Sequence, residues 1–184
     1  YQIANRLMNS VTKIRETLFW VIDSFKGNVI KKHLEEVQNV LNNYNSKKSL
    51  SIRTLNQEKI LKHASTTVPF YKKLDNLNVL TDFPIINKNI IRDNFNDFQS
   101  IDYINKKKNI VSTSGSTGSP FHISQDINKH KRNIADTIFF ASRAGYTIGE
   151  ELIYIKLWSK SYGLRNLKGF LKNVKRHSVY KLED

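Results

Sequence analysis

Apolar residues at Ile3, Leu7, Val11, Ile14, Leu18 and Val21 recur at spacings of four and three, which draws one stripe along a helix over residues 2–22. Asp23-Ser24-Phe25-Lys26-Gly27-Asn28 breaks the pattern. Ile30, Leu34, Val37 and Leu41 then mark a second amphipathic helix that runs into the turn Asn42-Asn43-Tyr44-Asn45. A third helix is expected to begin at Thr54, where the hydroxyl and Gln57 three residues on form a capping box. It must stop before Pro69, whose ring removes a donor and pushes Val68 out of helical geometry. Taken alone, this first third reads as part of an all-α bundle.

The grammar then changes. Pro84 interrupts the chain, and Asn87 is placed to cap a short helix carrying Ile90, Ile91, Asn94, Phe95 and Phe98. Ile110-Val111 and Phe121-His122-Ile123 read as two short strands on either side of a loop rich in glycine and hydroxyls. Ser124 or Asp126 caps a long helix with Ile127, Ile134, Ile138, Ala141 and Ala144 on one face, and Gly145 is set to end it. The β-rich run 152–158 is expected to form a buried strand. After Leu164, the residues Leu167, Phe170, Leu171 and Val174, among Lys168, Lys172, Lys175 and Arg176, outline a short basic amphipathic helix. Its apolar side is expected to pack on protein, with a membrane or an acidic partner as the alternative. Strand, loop, strand, helix, strand after N-terminal helices makes the fold class α/β.

Composition sets limits on this outline. With 39% hydrophobic and 25% charged residues the chain is in the globular range. It has no cysteine, which excludes a disulfide framework, a thiol nucleophile and thiolate zinc sites and points to a reducing, cytoplasmic setting. The longest apolar run, 18–22, is far short of the roughly 20 residues that cross a bilayer, so no transmembrane segment is expected. A net charge of +14 favours anionic partners, but the basic residues are dispersed and Lys106-Lys107-Lys108 is the sole triplet. Solvated lysines account for most of it, and no specific nucleic-acid site is expected.

The candidate chemistry lies in Val111-Ser112-Thr113-Ser114-Gly115-Ser116-Thr117-Gly118-Ser119-Pro120. Glycines let backbone N–H groups face a ligand without an intervening Cβ, and hydroxyls add donors that follow a moving anion, a composition suited to polyphosphate. No Lys follows Gly118 as in a Walker loop, and the order Gly-x-Ser-x-Gly of a nucleophile elbow is absent.

The run TSGSTGxP resembles the phosphate-binding signature of adenylate-forming enzymes. Its flanks are similar to the branch containing phenylacetate-CoA ligase and the CapK-like proteins of capsular polysaccharide biosynthesis. Leu61-Lys62-His63-Ala64 leading to Val68-Pro69-Phe70-Tyr71, then Phe83-Pro84-Ile85-Ile86-Asn87-Lys88, then 142–150 fall in that branch's order. The resemblance implies ATP-dependent activation of a small carboxylic acid to an acyl-adenylate, followed by transfer to a thiol, typically coenzyme A, with Mg²⁺ on the phosphates. It implies that Thr113, Ser114, Ser116 and Thr117 donate hydroxyls to the phosphates and that Gly115 and Gly118 admit the backbone. Residues 1–50 are then an N-terminal helical segment and 51–184 part of the AMP-binding domain, with the phosphate loop at 111–120. Relatives are more than twice as long, and their remaining motifs fall beyond the matched region. By itself the piece is expected to be inactive, with no catalytic residue identifiable.

The chain departs from the pattern beside the proline, where relatives usually carry Lys and this sequence has Ser119 and Phe121. Lys129, Lys131 and Arg132 are candidate substitutes, and His122 and His130 are isolated histidines for which surface roles come first. Two alternatives stand beside the ligase: a noncatalytic, truncated relative, and a basic helical module that binds nucleic acid or an acidic membrane.

Overall fold

The computed structural model describes residues 2–113, 121–156 and 167–179. In chain order these form α1 (Gln2–Phe25), α2 (Val29–Leu41), α3 (Lys47–Thr67), α4 (Pro69–Lys72), α5 (Lys88–Asp93), β1 (Lys108–Ser112), β2 (His122–Asp126), α6 (Ile127–Arg143), β3 (Leu152–Lys156), α7 (Leu167–Lys172) and β4 (Val174–Ser178). Single 3-10 turns occupy Leu80–Asp82 and Ile101–Tyr103. The described chain is therefore mixed α/β, helices with two small sheets: β1 and β2 antiparallel, β3 and β4 parallel. It divides into two compact units, Tyr1–Leu34 with Ile134–Asp184, and Glu35–Asn133.

In the first unit, Asp23 is 2% exposed, and its carboxylate accepts from the backbone N–H groups of Ile30 (3.1 Å) and Lys31 (3.0 Å). A buried anion at the start of α2 satisfies donors that the helix itself leaves free. The apolar stripe of α1 does not face inward: Ile14, Leu18, Val21, Ile22 and Phe25 are exposed, and the inner side carries Thr12, Arg15, Glu16, Phe19 and Asp23. On α6 the buried residues are Ala135 and Phe139, a face rotated from the expected one, and Ile127 and Ala144 lie in solvent. The expected terminator works: Gly145 has φ +86, and the bonds from Gly145 N to Ser142 O (3.1 Å) and Tyr146 N to Ala141 O (3.1 Å) form a Schellman closure.

The strand expected to be buried is present as β3, with Leu157 and Trp158 outside the described residues, but Ile153, Tyr154 and Ile155 are about half exposed, and among the described residues β3 pairs only with β4. Its partner β4 corrects the tail reading. Asn173 takes a left-handed φ of +43 and its N–H bonds to Gly169 O (3.0 Å), which ends α7 after six residues. Val174, placed by pattern on the helix, begins the ladder instead.

In the second unit, α3 starts at Lys47 rather than Thr54. Ser46 is the cap, its hydroxyl accepting from Ser49 N (3.1 Å). The hydroxyl of fully buried Ser49 donates to Val40 O (2.9 Å) and ties the two helices. The helix stops at Thr67 with Val68 extended, and Pro69 opens α4 at a position where no N–H is needed. Asn87 caps α5 through Oδ1 to Ile90 N (2.9 Å), but Asn94 ends that helix, so Phe95 and Phe98 lie beyond it.

An aromatic cluster links these turns. Phe70 stacks on Phe98 with centroids 4.2 Å apart, and Tyr71 meets Phe98 edge-on at 5.8 Å and Phe83 at 5.2 Å. Burial raises the Tyr71 phenol above its ordinary pKa. Segments 68–71 and 83–88 thus meet through aromatic packing.

Candidate phosphate-binding loop and adjoining cleft

β1 and β2 pair in register from Lys108↔Asp126 to Ser112↔His122. Past that last pair the ladder is closed by Thr113, whose N–H bonds to Phe121 O (3.0 Å) and whose Oγ1 accepts from Phe121 N (3.2 Å). Phe121 anchors the closure with a side chain that is 7% exposed. Residues 114–120 therefore leave and re-enter one antiparallel ladder at neighbouring points. Of the expected phosphate-binding residues, Thr113 is described and solvent-exposed, although its hydroxyl is engaged with Phe121. Ser114, Gly115, Ser116, Thr117 and Gly118 lie outside the described residues.

A pair that pattern reading missed stands at the root of this loop. Ser112 Oγ lies 2.8 Å from His122 Nδ1, and both side chains are exposed on one face of the hairpin. Sequence reading treated His122 as isolated because its partner is ten positions away, and only the strand register brings them opposite each other. The neighbouring cations differ from one another. Lys129 is exposed and its backbone N–H bonds to the Asp126 carboxylate, which identifies Asp126 rather than Ser124 as the cap of α6. The Arg132 guanidinium is 3.1 Å from Glu36 Oε1, an oxygen that also accepts from Asn56 Nδ2 (3.1 Å), so its charge is already matched. His130 is exposed.

The same face of the hairpin forms one wall of a cleft of about 550 Å³ lined by Phe95, Asn96, Gln99, Ile104, Lys108, Ile110 and Ser124. Alternation explains the wall: Lys108, Ile110 and Ser112 project to one side of β1, and Ser124 and His122 are the cross-strand partners of the latter two. Its lining is mixed, apolar at Phe95, Ile104 and Ile110 and polar at Asn96, Gln99, Lys108 and Ser124, and its volume is in the range of small-ligand sites. The alternation was visible in the sequence. The opposing Phe95, Gln99 and Ile104 were not, since they come from turns.

Among the described residues no group of three or more His, Asp or Glu side chains stands ready for a metal ion. Mg²⁺ commonly arrives on phosphates and keeps much of its water, so a nucleotide site does not require a protein cage for it. No family model, no curated protein and no solved structure matches the chain.

Proposed function

We propose that this chain is the N-terminal, ATP-handling part of a ligase that activates a small carboxylic acid as its adenylate and passes the acyl group to a thiol such as coenzyme A, similar to phenylacetate-CoA ligase and CapK-like proteins. The observation that carries the reading is the TSGSTG run strung between the ends of one antiparallel ladder, closed by Thr113 and Phe121. The hydroxyls and glycines of such a run supply N–H and O–H donors that would offset the charge growing on departing pyrophosphate. Mg²⁺ on the phosphates supplies the remaining charge neutralisation.

The cleft takes the organic acid. Ile110 and Ser124 lie one same-face step, about 7 Å, from Ser112 and His122, and Lys108 lies another such step back. The apolar part of the acid rests on Phe95, Ile104 and Ile110, and Lys108 holds the carboxylate side by charge.

In the full-length parent protein, ATP–pyrophosphate exchange should depend on an added acid and be abolished by Ser116→Ala or Gly118→Val. Lys108→Ala should raise the KM for the acid by about tenfold or more, with a smaller effect on the KM for ATP. Exchange that survives both loop substitutions would sink the reading. The isolated chain should show no exchange.

A further inference from the structure

The outward face of α1 has no role in the ligase reading. Its described part, from Ser10 on, exposes Ser10, Lys13, Ile14, Thr17, Leu18, Val21, Ile22, Ser24 and Phe25. Phe25 is 89% and Ile14 54% exposed, and Leu18, Val21 and Ile22 are partly exposed beside them. Their spacing forms a single stripe, and Ile3, Leu7 and Val11 continue it in sequence toward the N-terminus.

The charges on this helix are sorted. Its two acidic residues are both turned away: Asp23 is 2% exposed and committed to the start of α2, and Glu16 is half-buried on the inner side. The charged residues at the edge of the stripe are cations, Lys13 on the helix and Lys26 just after it, both exposed, followed by exposed Lys31 and Lys32 on α2. No helix of the described residues is long and apolar enough to cross a membrane. An apolar stripe rimmed by lysine, too short in apolar length to span, is the pattern of a helix that lies in the headgroup plane.

We propose that α1 docks this protein on an anionic lipid surface, with Ile14, Leu18, Val21, Ile22 and Phe25 immersed and Lys13 and Lys26 among the headgroups. Charge selects this occupant over a second copy of the chain. A self-pairing of the stripe would bring Lys13 and Lys26 of two copies together while the acids of α1, Glu16 and Asp23, face inward, in a molecule already at +14. Anionic headgroups supply the missing counter-charge, each surface cation contributing about fivefold to partition.

The test is sedimentation of the chain with vesicles of phosphatidylcholine containing phosphatidylglycerol, beside vesicles of phosphatidylcholine alone. Binding is expected to the anionic vesicles, weakening as salt is raised. Phe25→Glu should lower the partition at least about tenfold, and Lys13→Ala about fivefold. Both side chains are exposed, so circular dichroism should show the fold unchanged. Because the chain has no cysteine, Val21→Cys can carry a single environment-sensitive fluorophore, whose emission should shift to the blue with anionic vesicles. Equal partition of wild type and Phe25→Glu, or binding without a shift at position 21, overturns the proposal. So does self-association in ultracentrifugation that Phe25→Glu abolishes, since the stripe would then be a contact between copies.

Discussion

At the scale of single residues, Gly149 has the closest surroundings of the described glycines at positive φ. It is buried at φ +95, and a Cβ built there would lie 2.5 Å from Thr12 O and 2.9 Å from Arg15 Cβ. Its carbonyl also accepts from Arg15 Nη1 (3.3 Å) and Asn173 Nδ2 (3.0 Å). Gly149→Ala meets both backbone strain and collision with a helix backbone, and should cost at least about 2 kcal/mol in denaturant unfolding. Asp23→Ala removes the acceptor for two backbone donors at the start of α2, one of them buried, and should cost about 1–2 kcal/mol in the same measurement. Asp82 offers a pH test. Its exposed carboxylate accepts from Val79 N and Asn78 N, both at 2.8 Å, and these bonds hold its pKa below the ordinary value. A depressed folded-state pKa contributes stability above the unfolded value and loses it as pH falls through the folded one. The stability difference between wild type and Asp82→Ala should therefore be full at neutral pH and shrink below about pH 4, as read from thermal unfolding across pH.

At the scale of elements, boundaries were legible wherever one residue decides them chemically. Pro69 forces Val68 out of the helix, the Asn87 side chain meets the third residue's N–H, and Gly145 accepts a left-handed turn that other residues resist. The start of α3 was misread because Ser46 and Thr54 are both good caps, and the choice went to Ser46, next to the fully buried anchor Ser49. The tail was misread because Val174 fits a helical stripe, whereas Asn173 ends the helix and its carbonyl accepts from Leu152 N (3.0 Å) to open the parallel ladder. Asn173→Ala should destabilise the β3–β4 pair by about 1–2 kcal/mol, seen as faster amide exchange at β4. Asn173→Gly, which tolerates the positive φ but loses the bond to Gly149, should cost less.

At the scale of the molecule, apolar surface is left over. The stripe of α1 and the residues Ile153, Tyr154 and Ile155 of β3 face solvent, whereas a monomer ordinarily exposes apolar side chains singly. The +14 charge bears on this scale too. Retention on nucleic acid, if measured, should collapse as salt rises from 50 to 200 mM and be indifferent to Ser116→Ala, because dispersed lysines bind phosphate backbones without the loop. A loss of nucleic-acid affinity in Ser116→Ala would instead put the loop in a nucleic-acid interface and count against the ligase.

The sequence by itself determined the helix ends at Val68 and Gly145, the cap at Asn87 and the strands β1, β2 and β3, because capping, proline geometry and alternation act within a few residues of their cause. It also placed β1 and β2 on either side of 113–121. Tertiary structure alone decided which side of α1 and α6 turned inward, which segment became β4, and that Ser112 meets His122 beside a cleft whose far wall comes from Phe95, Gln99 and Ile104. Periodicity establishes that a stripe exists but carries no information about what covers it. A contact between residues ten or more positions apart depends on register and packing, which no local pattern records.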